Sequence, residues 1–203
     1  MSQHIHTLLC LGDSYTIGEL VPLHESFPYQ LTQLMRKAGH HFHAPEIVAQ
    51  TGWTTFELAG HLIHHQLEEQ YDFVTLLIGV NNQYRGLDID DYKDDFDFMI
   101  HKAIHLAKGI PSKVIVVSIP DWGVTPFAKT RDHKKIAAEI DAYNNINKAA
   151  ALKYECNYVE ITEGARKVAG DKEMLAKDGL HYSAKTYAEW ASQLADIIKQ
   201  STK

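Results

Sequence analysis

The sequence predicts an α/β fold, a three-layer α/β/α sandwich built on a five-stranded parallel sheet. Three observations carry that expectation. Short β-rich runs alternate with longer helical stretches along the 203 residues. The clearest runs, 73–78 (Phe-Val-Thr-Leu-Leu-Ile) and 114–119, are almost continuously apolar, the pattern of strands covered on both faces. No Pro/Gly/Ser-rich linker, internal repeat or low-complexity tract breaks the alternation, so one domain over 1–203 is expected.

A first strand over 5–11 ends at Gly12-Asp13-Ser14. The helix over 25–38 sets Phe27, Leu31, Leu34 and Met35 on one face and stops at Gly39. A weaker strand covers 42–49, and Thr54 and Thr55 are capping residue types for a helix carrying Leu58, Leu62 and Ile63. The third strand, 73–78, is closed by Gly79. A long helix over 90–108 then keeps Phe96, Met99, Ile100, Ala103 and Ala107 in register. The fourth strand, 114–119, stops at Pro120. A helix over 133–154 turns Ile136, Ile140, Tyr143 and Ala150 inward, and a short fifth strand covers 158–161. After a short helix near 165–168, a last helix starts from a Ser183 cap. It carries Tyr187, Trp190, Ala191, Leu194, Ile197 and Ile198 at helical spacing, which is a core stripe. Five strands and about five helices joined by right-handed crossovers favour the flavodoxin-like order 2-1-3-4-5.

Composition narrows the function. At 45% apolar and 23% charged the chain has the make-up of an ordinary globular protein. A formal charge of −6 without any Lys/Arg cluster argues against a nucleic-acid partner. No stretch approaches 18 apolar residues, so no stable membrane insertion is expected. The opening Met1-Ser2-Gln3-His4-Ile5-His6 lacks the charged and apolar regions of a secretory signal, and a cytoplasmic location is the expectation. The two cysteines, Cys10 and Cys156, fall in apolar runs and read as buried reduced thiols.

In an open parallel sheet, ligands sit at the carboxyl ends of the strands, where the strand order reverses. The segments after each strand are therefore where chemistry is sought. The first holds Gly12-Asp13-Ser14-Tyr15-Thr16-Ile17-Gly18, in which a serine stands at a strand-to-helix turn with its hydroxyl and N–H toward the site. Alone, Gly-Asp-Ser is common turn chemistry. After the fifth strand stands Asp178-Gly179-Leu180-His181, the only place where an Asp precedes a His by three residues. Such an Asp can accept from imidazole Nδ1–H and leave Nε2 to take a proton from a hydroxyl. The second segment gives Thr51-Gly52-Trp53, where a glycine N–H can approach a substrate oxygen, and the third gives Gly79-Val80-Asn81-Asn82, where a side-chain amide can do the same. Each has a bland reading as a turn or cap. Together they supply a nucleophile (Ser14), an acid–base pair (Asp178 and His181) and oxyanion donors (the N–H groups of Ser14 and Gly52, and Asn81).

These residues resemble the SGNH hydrolases, the GDSL-type esterase/lipase family. Gly12-Asp13-Ser14, Gly52, Gly79-Val80-Asn81 and Asp178-Gly179-Leu180-His181 match its four blocks in order, from about residue 8 to 198. The resemblance implies a flavodoxin-like sandwich and hydrolysis of carboxylic esters. It assigns Ser14 as nucleophile, His181 as base, Asp178 as acid, and Ser14, Gly52 and Asn81 as the oxyanion hole. One departure is visible: Asn82 stands where the third block commonly has Asp, which touches loop geometry more than catalysis. The Gly-x-Ser-x-Gly elbow of the α/β-hydrolases is absent around Ser14.

Tyr15, Trp53, Tyr84, Arg85, Trp122 and Phe127 fall in or near the carboxyl-edge loops, which predicts an aromatic-walled mouth with one cation. The expected partner is a small-molecule ester. No cofactor is expected, and no metal: His61 and His65 stand at i, i+4, but no carboxylate joins them in a metal-binding motif. Three alternatives stay open. A carbohydrate O-deacetylase of the same family is separated by its preference for acetylated sugars. A flavin- or phosphate-binding protein on the same fold would use 14–18 as a phosphate cradle, but leaves Asp178, His181 and Asn81 unexplained. A catalytically dead acyl- or glycan-binding scaffold is disfavoured by the intact blocks.

Overall fold

The five predicted apolar runs form one parallel sheet in the computed structural model, which describes residues 4–168 and 170–201. The strands are β1 (Leu8–Gly12), β2 (Glu46–Ala49), β3 (Phe73–Leu77), β4 (Val114–Val117) and β5 (Asn157–Val159). Their order is β2-β1-β3-β4-β5, with Cys10 level with Ile47 on one side and Thr75 on the other. The order reverses at β1 and β3, so a crevice opens beyond Gly12 and Leu77.

All five strands are shorter than their apolar runs suggest, β3 by one residue and β4 by two at their carboxyl ends. Ile5 is 47% exposed, and His6 makes only an isolated bridge to Phe42, so pairing begins at Leu8 and, in the second strand, at Glu46. The fifth strand lies at 157–159 instead of 158–161.

The helices are α1 (Ser14–Ile17), α2 (Phe27–Lys37), α3 (Thr55–His64), α4 (Val80–Tyr84), α5 (Ile89–Leu106), α6 (His133–Lys153), α7 (Thr162–Val168) and α8 (Ala184–Ser201). From β1 the chain crosses one way to β2, then back the other way to β3, β4 and β5. Right-handed crossovers therefore place α2 on one face and α3, α5 and α6 on the other. The last helix, α8, packs on α2 and completes the third layer. Leu58 and Leu62 of α3 are buried, whereas Ile63, turned about 100° from Leu62, is exposed. Ser183 precedes α8, but its Oγ is buried without a hydrogen-bond partner, and only its carbonyl engages the helix, through Tyr187 N. Burial pushes the thiols of Cys10 and Cys156 up to about 12 and about 11, so both remain protonated. Among the described residues, no helix is long and apolar enough to cross a membrane.

Candidate active site

The turn after β1 is built for a glycine. A Cβ on Gly12 would lie 2.0 Å from Thr16 Oγ1 and 2.5 Å from Leu77 O. Asp13 then caps α1, its Oδ1 accepting from Tyr15 N at 3.0 Å, which puts Ser14 at the first position of that helix. Asp13 is fully buried, and desolvation pushes its carboxyl up to about 7 against the opposing backbone hydrogen bonds. Burial therefore favours its protonated form over the charged one. Its Oδ2 lies 3.4 Å from Asn81 Nδ2.

Asn81 sits in α4, which Gly79 initiates at φ +130; a Cβ there would meet the Tyr92 ring, 2.6 Å from its hydroxyl. The Asn81 amide donates to Trp53 O at 2.9 Å, tying the third block to the second. The contact to Asp13 is long for a hydrogen bond and holds the other amide hydrogen weakly.

Asn82 explains its own departure from the common Asp. Its Oδ1 accepts from Thr55 N at 3.0 Å and its Nδ2 donates to Thr55 Oγ1 at 2.8 Å. That hydroxyl already gives its single hydrogen to Asp95 Oδ2, at 2.8 Å. A carboxylate at 82 would compete with Asp95 for one proton, whereas an amide completes the relay. The residue locks α4 to the start of α3.

Gly52 takes φ +86, a conformation that favours glycine. Its carbonyl accepts from Arg85 Nη2, and Arg85 Nη1 pairs with Glu57 Oε1 at 3.3 Å. Glu57 also closes a capping box with Thr54 at the start of α3. Arg85 thus braces the Gly52 loop from outside the cleft.

The Asp178–His181 segment forms a tight loop between the paired Leu175 and Tyr182. Asp178 Oδ1 accepts from the backbone of Leu180 and His181 at 3.0 and 3.1 Å, while Oδ2 meets His181 Nδ1 at 2.6 Å. Burial alone would raise Asp178, but these three bonds outweigh it and hold the carboxyl below its ordinary value. A carboxylate so placed keeps the proton on Nδ1 and Nε2 open to accept another. Gly179, at φ +66, packs on Pro126, and its carbonyl accepts from Phe127 N at 3.0 Å.

These pieces meet in one cavity of about 180 Å³, with Ser14, Gly52, Asn81 and His181 on its wall. The apolar part of the wall comes from Tyr15, Tyr84, Trp122 and Phe127, with Val80 and Leu180 between them. Trp122 and Tyr84 meet edge to face at 5.1 Å, and Trp122 Nε1 donates to Gln83 Oε1 at 2.6 Å, which fixes the indole plane. Gln83 is held in turn by Glu139 of α6 at 2.7 Å. Of the residues expected at the mouth, Trp53 and Arg85 do not line the cavity; the Trp53 ring packs on His61 at 4.8 Å. Thr51, Val80 and Leu180 do line it and were not singled out from sequence. Val80 and Leu180 stand inside the matched blocks, so block membership was the available signal.

Known proteins agree with this architecture. The chain superimposes on a lipase/acylhydrolase from Enterococcus faecalis (TM-score 0.76, 20% identity, 97% of each chain). It also superimposes on Axe2, an acetylxylan esterase from Geobacillus stearothermophilus (TM-score 0.74, 18% identity, 95% of this chain and 94% of that one). A third match is the psychrotrophic esterase EstA from Pseudoalteromonas sp., in a structure inhibited by monoethylphosphonate (TM-score 0.67, 14% identity, 97% and 98%). No curated protein matches the chain by sequence. Residues 10–189 match the GDSL-like Lipase/Acylhydrolase family, and the chain belongs to that family as a carboxylic ester hydrolase.

Proposed function

We propose that the protein hydrolyses small carboxylic esters through Ser14, His181 and Asp178. The observation that carries this is the 2.6 Å bond from His181 Nδ1 to Asp178 Oδ2, made on a loop whose imidazole shares one cavity with Ser14. His181 Nε2 takes the Ser14 proton as Oγ attacks the ester carbonyl. The tetrahedral oxyanion is held by the N–H groups of Ser14 and Gly52 and by the Asn81 amide hydrogen that Asp13 engages only weakly. His181 passes the proton to the departing alcohol, and water then releases the acid through the same base.

The cavity supports short acyl groups. Its volume of about 180 Å³ is below the range of about 300–1,000 Å³ typical of drug-sized pockets, and four aromatic rings close its wall. A second reading within the class, removal of acetyl groups from carbohydrate, is favoured by the same small volume and by the likeness to Axe2, which acts as an acetylxylan esterase.

Intact-mass labelling with a fluorophosphonate tests the nucleophile. Wild type should gain one adduct and Ser14→Ala none; a folded wild type that stays unlabelled, or equal labelling of both, removes Ser14 from the mechanism. A p-nitrophenyl ester series from acetyl to decanoyl, set beside acetylated xylo-oligosaccharides, then separates the two substrate classes.

A further inference from the structure

The N-terminal edge of the sheet, opposite the edge that carries Ser14, gathers three metal-ligating side chains from two distant parts of the chain. His4 and His6 are two residues apart on the segment leading into β1, and Asp72 immediately precedes β3. His4 Nε2 lies 2.9 Å and His6 Nδ1 3.8 Å from the same oxygen, Asp72 Oδ2. All three ligand atoms fall within 4.8 Å of one another. In tetrahedral zinc sites, bond lengths of about 2.0–2.2 Å put neighbouring ligand atoms about 3.3 Å apart, so shifts of about 1 Å would admit an ion.

A histidine–aspartate ion pair accounts for His4 and Asp72 and leaves His6 over. The His6 ring is packed against Phe42 and Phe73, with centroids 4.9 and 6.1 Å away, yet its Nδ1 is buried and finds no hydrogen-bond partner. Buried polar atoms are nearly always satisfied, and an orphan ring nitrogen facing a carboxylate and a second imidazole is placed to ligate. The carboxylate is also prepared. Thr7 N donates to Oδ2 at 2.9 Å, and Lys108 Nζ holds the other oxygen at 2.5 Å, the kind of outer partner that orients a ligating carboxylate. The Lys108 side chain is 38% exposed, so water screens its repulsion of a cation on the far oxygen.

We propose that His4, His6 and Asp72 bind one divalent transition-metal ion, zinc matching this two-nitrogen, one-oxygen set best, with water completing the coordination. The ion clips the segment before β1 to the segment before β3. It stands apart from ester hydrolysis: at about 3.3 Å per strand residue, the five residues of β1 alone put about 16 Å between it and the Ser14 turn.

The test uses the full chain with a tag free of histidine, stripped with EDTA and titrated calorimetrically with zinc sulfate. Cobalt(II) absorption serves as a second probe of nitrogen–oxygen ligation. One tight equivalent and a rise in Tm are expected. His4→Ala changes a largely exposed ring, so it should fold normally and hydrolyse esters at the wild-type rate, while weakening zinc at least ~10-fold and abolishing the Tm rise. His61→Ala/His65→Ala should keep the tight equivalent. Absence of a tight equivalent in wild type, its survival in His4→Ala, or its loss in the His61/His65 variant would each overturn the proposal.

Discussion

Replacing Asp13 by Asn should flatten a pH dependence that burial builds into the fold. The carboxyl is pushed up to about 7 in the folded chain, against an ordinary value of 3.8. Between those values the folded state holds a proton that the unfolded state has lost. The sign follows directly: stability is fully present below pH 3.8 and is lost as pH rises through 7. Each unit of difference is worth about 1.4 kcal/mol, and integrating the single site from pH 5 to pH 8 gives a loss of about 2–3 kcal/mol. For a chain of this size that is about 5–10 °C in Tm. An amide in place of the carboxyl would keep an acceptor for Tyr15 N and carry no ionisable proton. Urea unfolding of both proteins at pH 5 and pH 8 is the assay, read as the change in their stability difference. Any constant offset reports altered contacts with Asn81; only the slope reports the proton. Relative to wild type, Asp13→Asn should gain about 2–3 kcal/mol between the two pH values. Parallel curves would refute the reasoning and show that Asp13 is ionised in the folded chain across the range.

Other substitutions probe separate parts of the site. Asn81→Ala should lower kcat ~10²–10³-fold with little change in KM, as loss of one oxyanion donor does; a drop in KM-limited binding alone would remove Asn81 from that role. Asn82→Asp, which installs the residue more usual in the family, should destabilise by about 1–3 kcal/mol in chemical denaturation, because Thr55 has one hydroxyl hydrogen for two carboxylates. Added Asp95→Asn should recover much of that loss. Gly12→Ala should cost about 3 kcal/mol or more, since the new Cβ meets a backbone oxygen at 2.5 Å that cannot move without β3; a Tm within a few degrees of wild type would contradict this. Trp122→Ala should extend the acyl-chain range in the p-nitrophenyl series, and an unchanged profile would separate that wall from substrate choice.

The sheet was legible because strands buried on both faces leave near-continuous apolar runs, and right-handed crossovers then leave few orders. Strand ends were not. Ile5 and Phe42 extend the apolar runs, but the chain there runs past the edge of its neighbours and pairs only through a single bridge. The four residues of α1 and five of α4 are too short to show a helical period, so the elements that aim Ser14 and Asn81 were visible only as loop motifs. Arg85 shows a different limit. Position placed it at the mouth, but its partner Glu57 belongs to a capping box 28 residues earlier, and nothing local marks that pairing. The burial of Asp13 was equally hidden, because an acidic residue in a Gly-Asp-Ser turn reads as solvated until the strands close over it.

Three of the four aromatic residues of the cavity are tied to a polar group of the site by a short shared helix or a backbone hydrogen bond. Tyr15 follows Ser14 on α1, Tyr84 rides on α4 with Asn81, and the backbone of Phe127 is bonded to Gly179 within the His181 loop. Shape and chemistry therefore travel on the same pieces of chain. An insertion that widened the wall would displace Ser14, Asn81 or the His181 imidazole along with it. New acyl preferences can enter this fold by exchange of side chains at 15, 84, 122 or 127, whereas changes in loop length there would lose turnover before they gained selectivity.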